Sequence, residues 1–163
     1  MYSIRSIQPQ DNNEIAKVIR EVSTEFGLAA ESGYAVADHV VNEMFQTYQH
    51  PNSHYWVIVD EDNRVLGGGG LSPLKGDQTI LEIQKMYFLP QIRGYGFAKK
   101  LLELCFTFAE EHHCSQLYLE TTKSLWQAVN LYEKLGFIHL DQPLGNTGHS
   151  EACEIRMLKK LNN

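Results

Sequence analysis

A glutamate stands inside a run that otherwise reads as a buried strand. TILEIQKMYF, residues 79–88, surrounds Glu82 with aliphatic, β-branched and aromatic side chains, company in which an acidic residue is disfavoured. Gln84 shares its face through the strand period of two. A carboxylate kept in an apolar sheet has a raised pKa and can take a proton from a substrate. A glutamate at a sheet edge, or paired with a cation, would not, and the local sequence leaves both open. Next comes QIRGYGFAKKLL, residues 91–102, where Gly94 and Gly96 flank Tyr95, Arg93 precedes them, and Lys99 and Lys100 follow. The first N–H groups of a helix lack internal partners and carry the positive end of its dipole, and glycines let a backbone approach an anion closely. The chemistry on offer is binding of a phosphate-like anion; the plainer alternative is a turn into a helix.

Other constellations carry less. A dinucleotide fingerprint needs G-x-G-x-x-G/A, but Lys99 holds its last position; Glu120 lies near the place of the required acid, yet the loop comes too late in the chain. No G-x-x-x-x-G-K-[ST] occurs. GGGG, residues 67–70, precedes no helix and reads as a strand segment against which other backbone packs closely. His149 and Cys153 have too few His or Cys neighbours for zinc and read as a loop histidine and a buried thiol rather than a nucleophilic pair. His112 and His113 suit the cation-favouring C-terminus of a helix. Tyr132 lies on the apolar stripe of its own helix and, taken alone, is a core tyrosine.

The elements that must position these residues follow from periodicity. Residues 2–7 suit a first strand. DNNE, residues 11–14, resembles a capping box ahead of the stripe Ile15, Val18, Ile19, Val22 and Phe26, which Gly27 ends. Val36, Val40, Met44 and Tyr48 mark a second helix. YWVIVD and RVLGGGGL form a hairpin, SPLKGD is a loop, and residues 79–88 are a long strand. A helix runs over 94–113, QLYLE is a strand, and SLWQ is a second capping box for a helix with Leu125, Ala128, Val129, Tyr132 and Leu135 inward and Gly136 at its end. FIHL and CEIRMLK close the sheet. The order β-α-α-β-β-β-α-β-α-β-β, one parallel crossover among antiparallel hairpins, is an α/β (α+β) mixed sheet covered by helices.

With 163 residues the chain is one domain, and 43% hydrophobic against 21% charged residues is a globular composition. A net charge of −6 argues against a nucleic-acid-binding surface. The unpaired-looking cysteines Cys105, Cys114 and Cys153 point to reduced thiols, the first residues hold no apolar signal core, and no run approaches a membrane span. The expectation is a soluble, cytoplasmic protein with no membrane partner.

Together the pieces resemble the GCN5-related N-acetyltransferase (GNAT) superfamily. Its motif A, Q/R-x-x-G-x-G/A, is Gln91-Ile92-Arg93-Gly94-Tyr95-Gly96 here, and LYEKLGF, residues 131–137, matches its second signature. The resemblance covers essentially the whole chain and implies one N-acyltransferase domain, 1–163, whose mixed sheet is splayed between the strands flanking the cofactor helix. It implies acetyl-CoA as co-substrate and no metal. The pyrophosphate falls to Gln91, Arg93, Gly94, Tyr95, Gly96, Phe97 and Ala98, foremost the N–H groups from Arg93 to Gly96. The pantetheine arm falls to Met86, Tyr87 and Phe88, where a backbone N–H also faces the thioester oxygen. Glu82 stands where some members carry the general base and others a water chain; Tyr132 matches the general acid. Many members carry an asparagine where this chain has Leu125, and Thr121, Lys123 and Ser124 are the candidate substitutes.

Acceptor choice in this superfamily comes from residues 26–36 and 143–152, whose ionisable groups here are Glu31, His149 and Glu151. A small amine acceptor is the default, with a protein amine, a hydroxyl acceptor or another acyl group as alternatives, and a homodimer is allowed for. A non-catalytic acetyl-CoA sensor is the rival from outside enzymology, and the presence of both Glu82 and Tyr132 argues against it.

Overall fold

The computed structural model describes residues 1–28 and 39–161; Glu31 and Val36 lie outside them. A seven-stranded sheet has the order β1-β2-β3-β4-β5-β7-β6. Its strands are β1 (Ser3–Ser6), β2 (His54–Val59), β3 (Val65–Leu74), β4 (Asp77–Phe88), β5 (Gln116–Thr121), β6 (Ile138–His139) and β7 (Ile155–Lys160). Among the described strands only β4 and β5 pair in parallel, joined by the crossover helix α3 (Phe97–Glu111). On one face lie α1 (Asn12–Glu25) and the single turn α2 (Met44–Thr47); on the other lie α3 and α4 (Trp126–Lys134).

The period of two sorts β2 between these layers. Tyr55, Val57 and Val59 join Ile15, Ile19, Val22 and Met44 under α1 and α2. Ile58 joins Ile92, Phe97 and Leu101 on the α3 side. A further cluster of Leu102, Cys105, Leu117, Leu119, Val129, Tyr132 and Met157 seats α3 and α4 on β4, β5 and β7.

Local expectations shift in four places. The second helix is mostly a 3-10 turn, His39–Glu43, before α2. SPLKGD is no loop: Ser72–Leu74 extend β3 into a hairpin with β4. Asp11 does not cap α1 with its side chain. It is 2% exposed and holds Arg5 at 2.7 and 2.9 Å and the Gln8 N–H at 2.7 Å, because a buried carboxylate is better satisfied by a guanidinium than by one amide. Nor does Ser124 cap α4, since Lys123–Leu125 form a 3-10 turn and the N-cap position falls to Leu125.

The four consecutive glycines make room. A Cβ on Gly70 would meet the His54 carbonyl oxygen at 2.3 Å, and one on Gly68 would meet the Tyr55 ring at 2.6 Å. Tyr55 therefore lies across bare β3 backbone and reaches β4.

Candidate active site

β4 and β5 pair only at Leu81 with Leu117 and Glu82 with Tyr118. Beyond Glu82 they part, and a β-bulge in β4 accompanies the parting. Gly70 faces Gln84 and Gly68 faces Tyr87, so Lys85 and Met86 share the place opposite Gly69. Lys85 takes a left-handed φ of 50°, and the buried Tyr55 hydroxyl donates to its carbonyl at 2.6 Å. Such a bulge bends and twists its strand. The gap opens into a cavity of about 560 Å³, within the usual range for small-molecule sites. Past Glu82 no described strand pairs with the β5-side edge of β4, which leaves room there for an extended ligand.

The loop before α3 forms one end of this cavity. Gly94 and Gly96 have φ of +84° and +81°, and a Cβ at either would touch nothing within 4 Å. Their need for glycine is conformational, and the space beside them is open. Lys100 N–H donates to Gly96 C=O as the opening turn of α3, and no side chain caps this end. The amides ahead of Lys100 are thus the orphan donors of a helix start. α4 also begins without a side-chain cap, and both helix starts line the cavity.

Arg93 departs from its expected place at the head of these donors. Its N–H is taken by the Pro90 carbonyl at 3.2 Å. Its guanidinium bonds both Glu25 oxygens at 2.7 Å and the Phe88 carbonyl at 3.0 and 2.8 Å, and it lies 5.3 Å above the Phe26 ring. It ties the end of α1 to the end of β4, so the free amides begin at Gly94. Tyr95 packs edge-on against Tyr2 at 5.2 Å and does not line the cavity, nor does Gln91. Met86, Tyr87, Phe88, Arg93, Gly94, Gly96, Phe97 and Ala98 do.

Glu82 sits at the point of the gap. It faces Ser72 on one side and Tyr118 on the other, so it lies in mid-sheet rather than at an edge. It is 5% exposed; Gln84 donates to it at 2.7 Å, and Tyr48 donates to Gln84 at 2.7 Å. Burial pushes its pKa up, opposed by the Gln84 hydrogen bond and by His149. Tyr132 belongs to the opposite layer and lines the same cavity. Its hydroxyl hydrogen-bonds to no described group, and burial raises its pKa, which keeps it protonated. The two groups therefore reach the gap from opposite faces of the sheet.

Glu120 escaped the sequence reading as a site residue. Its carboxylate accepts from Tyr118 at 2.6 Å, Thr147 at 2.5 Å and Ser150 at 2.7 Å, which pins the loop before β7 over the gap. Its signal was there: it shares a strand face with Tyr118 and directly follows the apolar run Leu117–Leu119. His149 and Cys153 come to the cavity with that loop. Burial and nearby carboxylates push the Cys153 thiol up to about 12, which favours the protonated form of a buried thiol. Leu125 lines the cavity together with Thr121, Thr122, Ser124 and Trp126, and no feature of the sequence alone shows which of these face it. Among the described residues, no group of three or more His, Cys, Asp or Glu side chains could hold a metal ion.

Residues 18–137 match the Acetyltransferase (GNAT) family. An uncharacterized N-acetyltransferase of Escherichia coli K12, YjgM, is 51% identical over 159 residues, covering 97% of this chain and 94% of that protein. Among solved structures, an acetyltransferase of the GNAT family from Staphylococcus aureus Mu50 superposes with a TM-score of 0.86 at 18% identity over 99% of this chain and 100% of its own. A phosphinothricin acetyltransferase from Sinorhizobium meliloti, solved with acetyl-CoA, gives 0.74 at 21% identity over 99% of this chain and 89% of its own.

Proposed function

This chain belongs to the GNAT acetyltransferase family, and from that premise we propose that it moves an acetyl group from acetyl-CoA to the amine of a small molecule. The observation that carries the proposal is the splayed gap, with uncapped helix starts at one end and Glu82 and Tyr132 meeting from opposite faces at the other. The phosphates of the donor lie on the amides from Gly94 onward. Its pantetheine arm runs along the β5-side edge of β4 at Met86, Tyr87 and Phe88, which brings the thioester to the gap.

Glu82 takes the proton of the acceptor ammonium, directly or through water. The freed nitrogen attacks the thioester carbon, and a β4 amide in the gap donates to the oxyanion that forms. The carbon–sulfur bond then breaks, Tyr132 delivers its proton to the departing sulfur, and the second proton of the attacking nitrogen passes through water to the Tyr132 phenolate, which leaves a neutral amide and restores the acid. A small acceptor suits the site because the loop before β7, with Leu144 packed against Tyr118, covers the acceptor side.

Thiol release from acetyl-CoA across a panel of small primary amines and a peptide with a free N-terminus tests this, with calorimetry of coenzyme A beside it. Turnover on small amines alone is expected. Turnover on the peptide alone would move the acceptor to proteins, and tight coenzyme A binding with no turnover on any amine would favour a sensor.

A further inference from the structure

Two exposed aromatic side chains stand near the two helix starts, and they differ in one respect. Tyr95, 58% exposed, is spent on Tyr2 and Phe97 and turns away from the cavity. Trp126, 60% exposed, lines the cavity as the first residue of α4 and makes no ring contact with another aromatic among the described residues. The inward residues of the same helix, Val129 and Tyr132, are buried. α4 thus carries one large apolar ring that packing does not use, on the wall of a ligand site.

Its depth says which part of a ligand it meets. A helix rises about 1.5 Å per residue, so Trp126 stands roughly 9 Å outward along α4 from Tyr132, toward the mouth. Acetyl-CoA is long. With its acyl end at Tyr132 and its phosphates on the amides from Gly94 onward, its nucleotide must lie at the mouth. The mouth also carries Lys99, which is 60% exposed and lines the cavity. An indole face beside a phosphate site suits a purine, since bases stack on aromatic side chains through their π-faces.

We propose that Trp126 is the platform on which the adenine ring of coenzyme A stacks, an inference that rests on the donor site above. The test compares two probes, coenzyme A and 4′-phosphopantetheine, which keeps the arm and one phosphate but lacks the adenine nucleotide. W126A should weaken coenzyme A binding roughly tenfold, about 1.4 kcal/mol, and leave 4′-phosphopantetheine unchanged; W126F should retain most of the affinity. The chain has two tryptophans, so in a W56F background coenzyme A should quench the remaining emission and 4′-phosphopantetheine should not. Equal losses for both probes would place the ring on the arm or in the fold and overturn the proposal, as would unchanged coenzyme A affinity. If the wild type binds no coenzyme A, the donor site itself fails, which is a separate result.

Discussion

Glu82 and Tyr132 are ionisable groups kept neutral more readily by burial, and each answers a distinct substitution. Tyr132 has a hydroxyl with no hydrogen-bond partner among the described residues, inside an apolar cluster. Tyr132→Phe should therefore leave the melting temperature and the coenzyme A affinity in place, because no hydrogen bond is lost. kcat and kcat/KM should fall together. Wild-type turnover in the variant would make Tyr132 a core residue only. For Glu82 the sign follows from its raised pKa. The native state keeps this proton to higher pH than the unfolded chain, so the group favours folding below the ordinary carboxylate range. That contribution is lost as the pH rises through the raised value. Glu82→Gln, always neutral, should melt higher than wild type at pH 8 and level with it at pH 4. Its turnover should drop roughly 10²–10⁴-fold, while wild-type turnover rises with pH through the raised pKa. A variant that melts lower at pH 8 would show the carboxylate to be stabilised in its charged form.

At the scale of elements, the site depends on β3 being bare. Gly68 and Gly70 let Tyr55 cross to the Lys85 carbonyl, and that bond holds the bulge from which β4 diverges. Gly70→Ala drives a methyl group into the His54 carbonyl. It should cost at least about 2 kcal/mol, within the range for overpacking, read as a lower denaturant midpoint. A neutral outcome would mean that β2 and β3 separate freely there. Glu120 plays the corresponding part for the loop before β7. Glu120→Gln keeps the size but replaces one acceptor oxygen with a donor, so the Tyr118, Thr147 and Ser150 hydroxyls can no longer all donate to it. Amide exchange in residues 144–152 should quicken while α3 exchanges as before. Unchanged exchange in the loop would show that Leu144 and its apolar neighbours hold it without the carboxylate.

For the molecule as a whole, the donor would span both strands at the gap and both helix starts, so binding and folding are linked. Coenzyme A at about 100 times its Kd should stabilise the native state by about 2.7 kcal/mol, raising the melting temperature by roughly 5–10 °C for a chain of this size. No shift under those conditions would mean that the unfolded chain binds equally well or that the site lies elsewhere. Much of this architecture was legible in the sequence, because it rests on periodicity and local chemistry. Apolar residues at helical spacing mark α1 and α3, runs of β-branched and aromatic residues mark β2 and β4, and Gly94 and Gly96 mark the turn at a helix start. The acid in an apolar strand was visible as well, but the local sequence left a buried and an edge position open, and the pairing of β4 with β3 and β5 decided for the first. Hidden were the features made by residues far apart: Arg93 turned to Glu25 instead of the loop, Glu120 gathering hydroxyls from the loop before β7, and Tyr55 securing the Lys85 bulge. The sequence by itself determined most of the helices and strands and the glycine loop that opens α3. Only the tertiary structure decided that β4 parts from β5 after Glu82, and therefore which side chains face the gap, because strand pairing and bulge register are long-range choices that no local pattern contains.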